Sequence, residues 1–117
     1  MAAENVEVKI PEETLADDGL VVIKLKKPLD YNGVKYEEIK MDLENLTGRD
    51  SMEVENEIMM KKKGAVVFGA LNNDYILGIA SKACAKAQQP LGTDAFLALS
   101  LKDHNRVKDA VRNFLLK

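Results

Sequence analysis

The sequence predicts an α+β fold, an N-terminal bulged β-hairpin packed on a bundle of three to four helices. Three observations carry that prediction. Residues 20–43 alternate apolar and polar side chains around Asn32-Gly33, the strongest short hairpin signal a sequence holds. Residues 47–63 and 72–87 carry helical patterns behind capping residues. Residues 100–117 repeat that design, with Ser100 three positions before Asp103 and a stripe of Val107, Val111, Phe114 and Leu115.

A chain of 117 residues is one domain, large enough for a single hydrophobic core without disulfides or metals. It has no Trp, so the core must be mostly aliphatic side chains and Met. A formal net charge of -2 argues against a general nucleic-acid binder, which needs a clustered basic face. The single cysteine, Cys84, cannot form an intrachain disulfide and is compatible with a reducing cytoplasm. No charged-then-apolar leader opens the chain, and its apolar runs fall far short of a membrane span. The expectation is a soluble, unsecreted protein with neither nucleic acid nor membrane as partner.

Residues 1–18 hold four Glu, two Asp and Pro11 with little periodicity, and read as a mobile acidic arm ahead of a single domain over 19–117. Val6, Val8 and Ile10 do alternate, which leaves a short strand there as the other reading. From Leu20, the set Val21, Ile23 and Leu25 alternates with Val22, Lys24 and Lys26, giving a strand with one buried face that Pro28 and Asp30 close. Asn32 and Gly33 tolerate the positive φ of a type I′ turn, which pairs Tyr31 with Val34 and Leu29 with Tyr36. Continued without a slip, that register would turn Ile39, Met41 and Leu43 away from the face of Tyr36. One extra residue at Glu37 or Glu38 restores them, opposite Lys27, Leu25 and Ile23, so a β-bulge is expected there.

Thr47 or Asp50 caps the next helix, which runs to about Lys63. Its acids (Asp50, Glu53, Glu55, Glu57) lie early and Lys61, Lys62 and Lys63 lie late, matching the helix dipole, with Gly64 at the usual C′ position. The lysine run therefore reads as a helix end rather than a phosphate site. Residues 65–71 are apolar with Gly69 inside them, and periodicity does not separate strand from buried loop. Asn72-Asn73-Asp74 caps a helix whose face of Tyr75, Ile76, Ile79, Ala80, Ala83 and Cys84 is small enough for close approach of a neighbour. Pro90 ends that segment, Thr93 or Asp94 starts a short helix through Leu99, and Ser100 starts the last one.

No residue set spells a catalytic or metal centre. His104 lacks a held carboxylate or nucleophile and reads as structural. Cys84 sits on an apolar helix face and reads as a buried, inert thiol. One His and one Cys do not make a zinc site, the acids lack calcium-loop order, and Gly64 and Gly69 are not followed by Lys-Ser/Thr. The expectation is a non-enzyme with no cofactor and no metal. On the first helix, Met52 and one of Met59 and Met60 read as core filler. Adjacent Met59 and Met60 cannot both face inward beside Ile58, so at least one apolar side chain there is exposed and suited to a hydrophobic partner.

The wording of the last helix, Lys102-Asp103-His104-Asn105-Arg106-Val107 and then Val111-Arg112-Asn113-Phe114-Leu115-Leu116, resembles the closing helix of small phage tail assembly chaperones. That group includes the Mu-like tail proteins, and its helix typically opens Asp-Phe-Asn-x-Val and closes Asn-Phe-Leu; His104 stands where the family usually has Phe. A hairpin over Leu20–Leu43, the helix start Leu46-Thr47-Gly48-Arg49-Asp50 and an Ala-rich helix over Tyr75–Ala87 precede it in the family's order, so the resemblance covers roughly residues 18 to 117. It implies a protein that binds the hydrophobic tape measure protein in the host cytoplasm and keeps it soluble while tail tube subunits polymerise, leaving before the virion is finished. In several such systems a frameshifted extension recruits the tail tube protein as a second partner. The expected contact surface is Met59 and Met60 with Val66, Val67 and Phe68, and weak self-association is expected as well. The alternative is a structural minor tail or adaptor subunit retained in the virion.

Overall fold

The computed structural model describes residues 13–15, 20–62, 69 and 72–116. Three strands, β1 (Glu13–Leu15), β2 (Val21–Tyr31) and β3 (Val34–Met41), form an antiparallel sheet in the order β1-β2-β3. Four helices follow: α1 (Gly48–Lys62), α2 (Asn73–Lys86), α3 (Thr93–Leu97) and α4 (Leu101–Leu115). This is the α+β architecture that alternation followed by helical spacing predicts.

Asn32 and Gly33 both take positive φ, 52° and 81°, and Tyr31 pairs with Val34 across the tight turn. β1 comes from the segment whose composition suggests a mobile arm: Glu13, Thr14 and Leu15 pair with Ile23, Val22 and Val21. Three residues are too few for alternation to register in a sequence. The alternating Val6, Val8 and Ile10 lie outside the described residues.

The hairpin does change phase, but in the other strand from the one expected. Leu29 pairs with Tyr36 and Lys24 with Glu38, so residues 25–28 of β2 face Glu37 alone. The surplus lies in β2 rather than at Glu37 or Glu38 of β3. Ile39 and Met41 consequently stand opposite Ile23 and Val21, not Lys27 and Leu25. An odd surplus in either strand returns the apolar set to one face, which is why parity alone could not choose between them. Pro28, expected to close the strand, instead lies within β2 in this irregular stretch, where a residue with no N–H is tolerated.

Two backbone donors of that stretch are met from α4. The amides of Lys26 and Lys27 donate to Asp103 Oδ2 at 2.9 and 3.3 Å. Asp103 is fully buried, its Oδ1 accepts from Arg106 Nη1 at 2.7 Å, and its own amide donates to the N-cap Ser100 Oγ at 3.3 Å. The residue expected only to follow a cap is therefore a long-range acceptor.

The core lies between the sheet and the helices. Ile23, Leu29, Ile39 and Met41 are buried together with Ile76, Ile79, Ala80, Ala83 and Cys84 of α2, Phe96 of α3, and Val107 and Val111 of α4. α2 packs on β3 and α4 on β2, while α1 lies against α2. Thr47 and Asp50 cap α1 jointly: Thr47 N donates to Asp50 Oδ2 at 2.9 Å, and Asp50 N to Thr47 Oγ1 at 3.3 Å. Asn72 caps α2 by accepting from Tyr75 N at 2.8 Å. Gly92, with no side-chain cap, precedes α3, which ends at Leu97 rather than Leu99. Phe114 and Leu115, expected in the buried stripe, are half-buried, because the stripe runs off the edge of the core in the last turn of α4.

The outer edge of β3 is stopped by a side chain. After α2, Gln88 takes a left-handed conformation, φ 68°, and turns the chain back toward the sheet. The Gln89 amide then accepts from Lys40 N at 2.8 Å and donates to Glu38 O at 3.2 Å, as a peptide group of a neighbouring strand would. Asp42 N, further along, donates to Ala83 O at 3.0 Å.

Asp103→Ala should cost about 3–5 kcal/mol in urea unfolding, because it removes the buried carboxylate that two backbone amides and Arg106 share. Burial alone would raise the Asp103 pKa, but the Lys27 amide, Ser100, the Lys26 amide and Arg106 outweigh it and hold it below the usual aspartate value. A depressed folded value means the contribution is complete above the unfolded pKa of about 3.9 and is lost as pH falls through the folded value. Stability followed down through pH 4 should therefore fall more steeply for the wild type than for Asp103→Ala.

Candidate functional site

α1 meets the rest of the protein along one narrow stripe. Val54 is buried and Ile58 half-buried. Opposite them α2 presents Gly78, where a β-carbon would stand 2.5 Å from Val54 Cγ1, so the helices approach as closely as a glycine allows. Ser51 Oγ and the Tyr75 hydroxyl share a hydrogen bond of 2.5 Å, Lys82 Nζ lies 2.6 Å from Glu53 and Lys86 Nζ lies 3.5 Å from Asp50. These contacts fix which side of α1 faces inward.

The opposite side carries the methionines. Met52 is 63% exposed, Met59 50% and Met60 81%. Met52 and one of the adjacent pair were expected in the core; all three are outside it. The inward stripe of α1 consists of Val54 and Ile58, with Val54 packed against Gly78 of α2. Met52 and Met60, each two positions from one of these residues, fall on the far side of the helix, and Met59 stands beside them.

Beside the stripe, α1, α2 and α3 border a groove of about 240 Å³. Val54, Ile58, Leu77 and Leu97 are its apolar lining, and Glu57, Lys61 and Asp74 its charged groups. Leu97 is itself 70% exposed. The groove is smaller than a cofactor pocket and suits one or two apolar side chains of a partner. Its members come from three elements far apart in sequence, and only Gly78, a glycine inside a helix, signals in advance that two backbones meet there.

The expected contact residues are thus only partly placed. Met59 and Met60 lie on the outer arc of α1; Val66, Val67 and Phe68 lie outside the described residues. His104 Nδ1 is 2.8 Å from the Phe96 carbonyl and joins α4 to α3. Burial pushes the Cys84 thiol up to about 12, so it stays protonated near neutral pH. Among the described residues no three His, Cys, Asp or Glu side chains gather as metal ligands would, and no helix is long and apolar enough to cross a membrane.

Comparison of the chain with family models, with curated proteins and with solved structures finds no match in any of the three.

Gly78→Ala should lower thermal stability. The alanine gains about 1 kcal/mol in helix propensity, but overpacking against Val54 costs about 1–3 kcal/mol. A higher melting temperature would mean that α1 stands further from α2. Met60→Lys, by contrast, should change stability by no more than about 0.5 kcal/mol, since that side chain is 81% exposed.

Proposed function

We propose that this protein is a non-enzymatic tail assembly chaperone of a phage or prophage, which binds the tape measure protein and keeps it soluble during tail tube assembly. The observation that carries this reading is a helix with three methionines turned to solvent beside an apolar groove. It is supported by the ordered sequence resemblance from the hairpin to Asn113-Phe114-Leu115. Long unbranched thioethers adapt to varied apolar surfaces, which suits a client offering many unlike sites. Protection of this kind follows from mass action: each bound copy covers apolar surface that would otherwise aggregate, with no need for nucleotide or metal. The work belongs in the host cytoplasm, where the client is made, and a tail tube protein is the natural second partner. A long client with repeated sites would be coated by several copies.

Co-expression with the tape measure protein of the same phage or prophage is the test. The client should move into the soluble fraction and co-purify with this chain. Met59→Glu together with Met60→Glu should weaken the complex without unfolding the domain. Unchanged client solubility with nothing co-purifying would sink the proposal, and detection of the chain in purified virions would favour a retained minor tail or adaptor subunit.

A further inference from the structure

We infer that α1 is a separately opening cover, which lifts off α2 as a unit and bares the apolar face beneath it while the sheet, α2 and α4 stay folded. Burial is shared very unevenly along this chain. Among the described residues between Leu43 and Tyr75, Val54 alone is buried. α2 buries eight residues over a similar length, and α4 buries Val107, Val111 and the Asp103 carboxylate that ties it to β2. A helix of 15 residues is marginal by itself in water, so docking decides whether α1 stays in place.

That docking is shallow. α1 packs on α2 through Val54 at Gly78 and a half-buried Ile58. The other ties stand at the rim. Lys82 meets Glu53 at 2.6 Å and Lys86 meets Asp50 at 3.5 Å, but both lysines are partly exposed, and pairs so placed add little. Ser51 Oγ and the Tyr75 hydroxyl share one hydrogen bond. Just before α1, by contrast, the chain is anchored to the body: Leu43 is buried, and Asp42 N donates to Ala83 O at 3.0 Å. Glu44 and Asn45 follow, both exposed, where the backbone can turn without breaking a core contact. The joint cap of Thr47 and Asp50 lies within the moving part, so α1 leaves α2 still capped. Elements with few buried contacts open first, as cooperative units far below the free energy of global unfolding. Lifting removes the Val54 and Ile58 wall of the groove and leaves Leu77 and Gly78 of α2 open beside Leu97. This motion does not depend on the chaperone reading.

Native-state hydrogen exchange of the full chain is the test. Amides of residues 54–61 should exchange together, at least about tenfold faster than those of residues 79–84 and 107–111. Val107→Ala, a change in the body, should speed exchange in α2 and α4 and leave that of α1 unchanged, because the Val107 contacts survive when α1 lifts. Val54→Ala should speed all three, because every opening breaks that contact. A second measurement uses the native cysteine, which is fully buried in the core. The thiol introduced by Val54→Cys should react with a thiol reagent at least about tenfold faster than Cys84 of the same molecule. Exchange of α1 no faster than that of α4, equal sensitivity of the two to Val107→Ala, or labelling of the two thiols together would each overturn the inference. None of these measurements involves a client, so their failure leaves the chaperone proposal to be decided by co-purification.

Discussion

The carboxylate of Asp103 joins the two ends of this fold. It sits in the first turn of α4, yet two of the donors it accepts from are backbone amides in β2, more than seventy residues earlier in the chain. Four residues of β2 face one of β3 there, and this carboxylate answers the amides of Lys26 and Lys27. Arg106, one turn along α4, stands at 2.7 Å and balances the charge that this arrangement buries. The irregularity in the sheet, the position of α4 and the closure of the core over Ile23 and Val107 are thus one arrangement seen from three sides.

Much of this was legible in the sequence, and the divide follows the range of the interactions involved. The Asn32-Gly33 turn and the caps at Thr47, Asn72 and Ser100 depend on residues within a few positions of one another, and each appears where local chemistry places it. The buried face of α2, from Tyr75 to Cys84, follows from spacing alone. The strand that carries the surplus residues was not legible, because alternation reports parity and is blind to which strand holds the extra length. Nor was the burial of Asp103, since an acid three residues after a serine reads as a cap partner, and only the distant amides of Lys26 and Lys27 give it another task.

The exposed methionines follow from α2. This helix is enclosed by the sheet, α1 and α4, and its buried Gly78, Ala80, Ala83 and Cys84 let its neighbours approach closely. At Gly78 the economy is greatest, and Val54 fills the space a side chain would have taken. A helix seated so closely needs only a thin apolar stripe to hold it. α1 then has two apolar surfaces where an ordinary amphipathic helix has one, and the groove by Leu97 lies between α1 and the body of the protein, on the side of Glu57 and Lys61.

The amide of Gln89 covers part of the outer edge of β3. Strand edges are usually ended by charge, by brevity or by a covering helix; here one side chain occupies the hydrogen-bonding sites at Glu38 and Lys40 that a fourth strand would use first. A terminator of this kind is indifferent to what approaches, whether another copy at high concentration or a stretch of unfolded chain. It also rests on a single functional group. Hydrolysis of that amide to a carboxylic acid, a slow chemical ageing reaction of glutamine, would put an anion against the Glu38 carbonyl and reopen the edge to strand addition.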